Sequence, residues 1–199
     1  MSGNREDVIR ALQLLQGLDS FEQATLSAVA ALCDSEVPEV AIPALGVLLK
    51  TKTPESVEQL KRYLDKYKGN VQPLALISVG SELGRIDSVK ALPLVEGLAT
   101  SRFVAVRYGA MDAIRRIKSP KSVPFLVARL DDTDATIQYV ALITLAEVLG
   151  KYDDNFAPSM YLFDKKPLYY VGLWKRWWAE EGSKIYSPPA SQENSNPGS

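Results

Sequence analysis

The sequence predicts an all-α protein, a solenoid of about four to five stacked antiparallel helix pairs closed by an aromatic C-terminal capping helix. Three observations predict it. Apolar residues recur at helical spacing through most of the 199 residues, and no stretch alternates as a half-buried strand does. Turn signals interrupt that pattern every 10 to 15 residues or so. The pattern also repeats itself at a spacing of 31 to 35 residues, the mark of a stacked array.

Each element follows in order. Val8, Ile9, Leu12 and Leu15 define a first amphipathic helix, and Ser20 is placed to cap a second from Phe21 to Cys33. Asp34 to Pro38 reads as a turn before a third helix carrying Val40, Ala44, Leu45 and Leu48. Thr53-Pro54-Glu55 is a helix start, with a capping oxygen, a proline at the first helical position and an acid near the positive end. That helix closes near Lys68-Gly69-Asn70, and the next runs from Val71 to Leu83. Helices from Asp87-Ser88 to Thr100, Phe103 to Ile117, Ser119-Pro120 to Asp131 and Ala135 to Leu149 complete the series. A loop at 151–166 leads to the aromatic helix at 167–182, and the Ser-, Pro- and Asn-rich tail 183–199 reads as disordered. Residues 4–182 are expected to form one domain, with the clearest repeats at 56–86, 87–119 and 120–150.

The repetition is specific. At a shift of 31 residues Pro93 falls on Pro124, Val106 on Ile137, Tyr108 on Tyr139, Ala110 on Ala141 and Ile114 on Leu145. Val71/Ala75/Val79 and Val40/Ala44/Leu48 continue the pattern upstream. A single pair of helices this short cannot bury both faces, so neighbours stack along one shared core. Small alanines let the backbones approach, and prolines at one register predict similarly bent first helices.

Composition excludes much chemistry. The chain has no histidine and one cysteine, which rules out Ser-His-Asp and Cys-His catalysis, an intrachain disulfide and a zinc site of the usual kind. Cys33 lies in an apolar run and reads as a buried small hydrophobe. No cofactor, phosphate loop or paired-carboxylate motif is expected, and Asp153, Asp154, Asn155 and Asp164 read as a solvated acidic loop because they lack calcium-loop spacing. No window approaches a membrane span. The polar N-terminus argues for a cytoplasmic protein, and a chain whose leader had been removed before Met1 would read the same way.

Val123-Pro124-Phe125-Leu126 with Asp131-Asp132, and Val106-Arg107 with Ala110, Ala113-Ile114 and Ile117, resemble HEAT repeats. That resemblance is good over 87–150, fair over 35–86 and weak before. It implies a right-handed stack in which Asp132 and Arg107 form a structural ladder between layers. Ser101 and Gln138 depart from the family pattern at the corresponding Asp and Arg positions. The C-terminal segment resembles bacterial HEAT-repeat proteins that end in a Trp-rich helix, and Tyr170, Trp174, Trp177 and Trp178 are read as the structural cap. Large rings cover the apolar end of a stack well.

The resemblance does not by itself fix function; the expectation is a non-catalytic scaffold that binds a protein or peptide on its concave face, as a monomer. Tyr108, Met111, Arg115 and Arg116, with Tyr139 and Leu142 one repeat on, are the candidate binding residues, because they are predicted to face solvent beside the inward Val106, Ala110 and Ile114. Aromatic and arginine side chains are the residue types that dominate binding hot spots. The alternative is a nucleic-acid binder or DNA-glycosylase-like protein using the basic middle repeat. Residues 85–130 carry a net charge of +6 between flanks of −3 and −4, and Arg102, Arg107, Arg115, Arg116, Lys118, Lys121 and Arg129 contribute to it. A slightly acidic chain as a whole disfavours that alternative.

Overall fold

The computed structural model describes residues 2–66 and 75–186. Every regular element among them is helical. The chain divides into two compact units, 1–119 and 120–199.

The first unit contains α1 (Ser2–Gln16), α2 (Gln23–Leu32), α3 (Pro38–Leu49), α4 (Pro54–Lys66), α5 (Ala75–Leu83), α6 (Leu92–Leu98) and α7 (Val104–Ile117). Helices α1, α3, α5 and α7 touch in succession to make one layer. Helices α2, α4 and α6 flank it, with α2 on α3, α6 on α7 and α4 on α6. The apolar spacing explains the core: Val40, Ala44, Val79, Val106, Ala110 and Ile114 are buried where the repeat pattern places them. The predicted cap at Thr53 forms, its hydroxyl accepting the Ser56 amide at 3.2 Å. Ser20 does not cap α2, which starts after Glu22 without a side-chain cap bond. The helix end at Lys68-Gly69-Asn70 and the start at Val71 lie outside the described residues.

Two glycines of this layer let helix backbones approach closely. A Cβ on Gly109 would stand 2.7 Å from the carbonyl carbon of Gly80 and 2.8 Å from its Cα, closer than any side chain tolerates. A Cβ on Gly80 would run into the Ala105 carbonyl. Backbones of α5 and α7 therefore meet directly.

The second unit contains α8 (Val123–Arg129), α9 (Ala135–Leu149), α10 (Met160–Lys165), α11 (Pro167–Trp177) and α12 (Ser183–Tyr186), with a π-turn at Trp178–Gly182 between the last two. Helix α9 packs on α8 and α11, and α12 returns to α8. Ile137, Ala141 and Leu145 are buried, matching Val106, Ala110 and Ile114 of the first unit. Asp134 caps α9 through the amides of Thr136 and Ile137, and Gly150 closes it with φ +68°.

Three expectations are corrected. Pro93 and Pro124 do not bend continuous helices: each is preceded by a three-residue 3₁₀ turn (Val89–Ala91, Pro120–Ser122) and stands in the first turn of a short α-helix, where its missing N–H costs no internal bond. The loop 151–166 contains α10, which Ser159 caps by accepting the Leu162 amide. Residues 183–186, assigned to the tail, form α12.

Candidate functional site

The turns before the second helices share one construction. Ser101 Oγ accepts the Phe103 amide at 3.3 Å, and 31 residues later Asp132 Oδ1 accepts the Asp134 amide at 3.0 Å. Ser35, at the corresponding place upstream, accepts the Val37 amide at 3.2 Å. A short polar side chain that bonds an amide two residues on folds the chain into a tight turn, and serine does this as aspartate does. From the helix side, Arg107 Nη1 donates to the Ser101 carbonyl at 3.0 Å, and Gln138 Nε2 donates to the Asp132 carbonyl at 2.8 Å. Ser101 and Gln138, which depart from the family pattern, thus brace their turns as Asp132 and Arg107 do. The acceptor is a backbone carbonyl, so the sequence alone could not reveal the bond. Asp132 is buried and also lies 3.7 Å from Arg129 Nη1.

Helix α7 presents the candidate binding face. Tyr108 is half-buried, while Asp112, Arg115 and Arg116 are exposed, giving a stripe with steps of three to four residues. Met111, expected to face solvent, is 0% exposed. Leu142, its counterpart on α9, is also 0% exposed. The reason is common to both. Each helix is packed on two sides, α7 by α5 and α6 and α9 by α8 and α11, so the buried arc is wider than one amphipathic face. Tyr139 is half-buried and held: its hydroxyl donates to the Pro158 carbonyl at 3.3 Å and its ring lies 5.4 Å from Phe163.

The basic residues do not form one patch within the first unit. Arg102 lies beyond the start of α7 with its guanidinium 4.6 Å above the Phe103 ring, whereas Arg115 and Arg116 occupy the last turn. At 1.5 Å per residue the two ends are about 20 Å apart. In the second unit, Arg129 stacks 5.3 Å from Phe125. Such contacts engage the cations locally.

Two grooves of the first unit flank the end of α4. One holds about 470 Å³ and is lined by Lys61, Leu64, Asp65, Leu98, Arg102 and Phe103 among others. In it Lys61 bonds Asp65 at 2.6 Å, and this partner holds the lysine pKa above its ordinary value. The other holds about 440 Å³, between Asp34, Ser35, Glu36, Arg62, Tyr63 and Lys66. Cys33 nearby is fully buried, and burial, with Asp34 adding a smaller push, raises its thiol pKa to about 12. A thiol in that state is no nucleophile.

The aromatic segment forms two linked sets of rings. Phe163 joins Tyr139 to Tyr170, and Tyr169 stands edge-on to Tyr170 at 5.1 Å. Trp174 meets Phe156 at 4.8 Å and Trp177 at 5.4 Å, both edge-on, the geometry that ring quadrupoles favour. Trp174 Nε1 donates to the Phe156 carbonyl at 3.0 Å, and Trp177 Nε1 donates to Glu181 at 3.1 Å. Tyr170, Trp174 and Trp177 are buried, while Trp178 is half-buried at 6.5 Å from Trp177. The Trp177 ring occupies the space a side chain on Gly182 would fill. In the acidic loop, Asp153 accepts the amides of Asn155 and Phe156 at 3.0 and 3.3 Å, which gives it a turn-forming role.

Among the described residues no helix is long and apolar enough to cross a membrane. No curated protein and no solved structure matches the chain. Residues 71–146 match the family model for HEAT repeats, a span that takes in α5, runs almost to the end of α9 and includes the turns at Ser101 and Asp132. HEAT repeats commonly serve as protein-interaction scaffolds and are generally not enzymes. The paired helices and the family match together support a HEAT-repeat architecture over residues 71–146, to which that part of the chain is similar.

Proposed function

We propose that the protein is a non-catalytic scaffold that holds a protein or peptide partner on the solvent face of helix α7. The observation that carries this reading is the stripe Tyr108, Asp112, Arg115 and Arg116. It stands on a helix whose other sides are immobilised by the Gly80–Gly109 crossing and by α6. Rigid placement lowers the ordering cost of binding, and a ring flanked by guanidinium groups has hot-spot chemistry. Arg115 and Arg116 favour an acidic contact on the partner. Met111 supports the face from beneath instead of touching the partner; in the second unit Leu142 is buried and Tyr139 serves chiefly to hold α10.

Affinity capture from the source cell, with quantitative mass spectrometry, tests it. The wild-type chain is expected to retain a defined partner that the double variant Arg115→Glu/Arg116→Glu loses by at least tenfold, while Lys90→Glu on the other layer keeps it. Identical profiles for all three proteins would refute the assignment.

A further inference from the structure

Helix α4 carries Gln59, Arg62, Tyr63 and Lys66 at steps of three and four residues, so the four share one face. Gln59 and Tyr63 are buried, while Arg62 and Lys66 are exposed. Across from them lies the turn after α2, where Asp34 and Glu36 are exposed and the Ser35 hydroxyl holds the turn. A buried amide needs partners at both ends. Gln59 finds charged ones: its Nε2 donates to Asp34 Oδ1 at 3.1 Å, and its Oε1 accepts from Arg62 Nη2. Hydrogen bonds to ionised groups are among the stronger ones, so this bridge fixes where the carboxylate and the guanidinium stand.

The two grooves at the end of α4 use their charges differently. In the groove of about 470 Å³, Lys61 and Asp65 pair with each other at 2.6 Å. In the groove of about 440 Å³, two acids and two bases surround one cavity with Tyr63, and no acid of that groove pairs with a base. Asp34 and Arg62 are bonded to Gln59, and among the described residues Glu36 and Lys66 have no ion pair. Held by the two ends of one amide, the Asp34 carboxylate and the Arg62 guanidinium stand within about 8 Å of each other.

We propose that this cavity binds a free α-amino acid, with its ammonium group on Asp34, its carboxylate on Arg62 and its side chain against Tyr63. Glu36 and Lys66 strengthen the field at the two ends. The spacing of the anchors selects the ligand. An ammonium and a carboxylate on one carbon, each with a hydrogen bond of about 2.8 Å, reach across about 8 Å. A dipeptide sets its two termini about 3.5 Å further apart. The lining is balanced, two acids against two bases, so an ion of a single sign meets repulsion as well as attraction. The cavity volume lies within the range of about 300–1,000 Å³ usual for small-molecule sites. The site belongs to α4 and the turn before α3, and the proposal stands or falls apart from the α7 stripe.

The test is isothermal titration calorimetry of the full chain with each proteinogenic L-amino acid. At least one amino acid with an uncharged side chain is expected to bind. Its N-acetyl and carboxamide derivatives, each lacking one of the two charges, should bind at least about tenfold more weakly. Asp34→Asn and Arg62→Gln should each weaken binding by a similar factor with circular dichroism unchanged, while Lys61→Ala in the other groove keeps full affinity. Direct contact also predicts that Asp34→Asn narrows the gap between the free amino acid and its N-acetyl derivative, and Arg62→Gln the gap to the carboxamide. Absence of binding by every amino acid at about 10 mM, or equal binding of the free amino acid and both derivatives, would overturn the proposal. So would tighter binding of a dipeptide containing that amino acid, or full affinity in Asp34→Asn and Arg62→Gln.

Discussion

The α5–α7 contact of the first unit and the α9–α11 contact of the second solve one problem in opposite ways. Both bring helices together over an apolar core. In the first, side chains are removed: Gly80 and Gly109 let backbone touch backbone. In the second, Phe163, Tyr170, Trp174 and Trp177 fill the space with rings. The position 31 residues after Gly109 is Val140, which is half-buried, so the glycine is a local device and not part of the repeat. The repeat fixes which positions are buried, as at Val106/Ile137 and Ala110/Ala141; the neighbouring element decides how large their surroundings are.

The difference can be broken from either side. Trp174→Ala is expected to have the largest effect, about 4 kcal/mol of lost stability in the second unit, because a fully buried ring and its bond to the Phe156 carbonyl both disappear. Urea unfolding followed by the remaining tryptophan fluorescence measures it. Gly109→Ala should cost about 3 kcal/mol in the first unit, since the added methyl meets backbone that cannot step aside. Thermal unfolding by circular dichroism reads that loss, and a variant as stable as the parent would mean the two helices are not in contact there.

A third prediction probes how closed the first unit is. The Cys33 thiol keeps its proton up to about pH 12 when folded but releases it near its ordinary value of 9.0 when unfolded. The unfolded state therefore binds fewer protons above pH 9, and stability falls as pH rises from there. At pH 10 the loss is about 1 kcal/mol relative to Cys33→Ala, measured by urea unfolding of both proteins at pH 8 and 10. The smallest effect is expected at Gly172→Ala, which should stabilise by about 0.5–1 kcal/mol because the methyl enters open space and favours the helix. Destabilisation on the same substitution would show that Gly172 is packed against a neighbour.

The helices and their repeat were legible because buried positions recur at a fixed spacing, and Ala110 and Ala141 are buried as that spacing requires. The aromatic helix was legible because three tryptophans on one short segment demand cover. Met111 and Leu142 were misplaced because a single helix reads as having one buried face, and packing on two sides shows only once neighbours are known. The turn bonds of Arg107 and Gln138 end on carbonyls, which every residue carries, so no residue pattern signals them. Helix α10 is too short, at six residues, to declare a period. Gly80 and Gly109 lie outside the repeat, and nothing in their spacing tells that they meet.

The most direct measurement is amide hydrogen exchange on the full chain with and without the captured partner. Partner binding through the second-helix face predicts new protection across residues 108–116 of α7, with α4 and α6 unchanged. Unaltered exchange in α7, with protection confined to other helices, would contradict it.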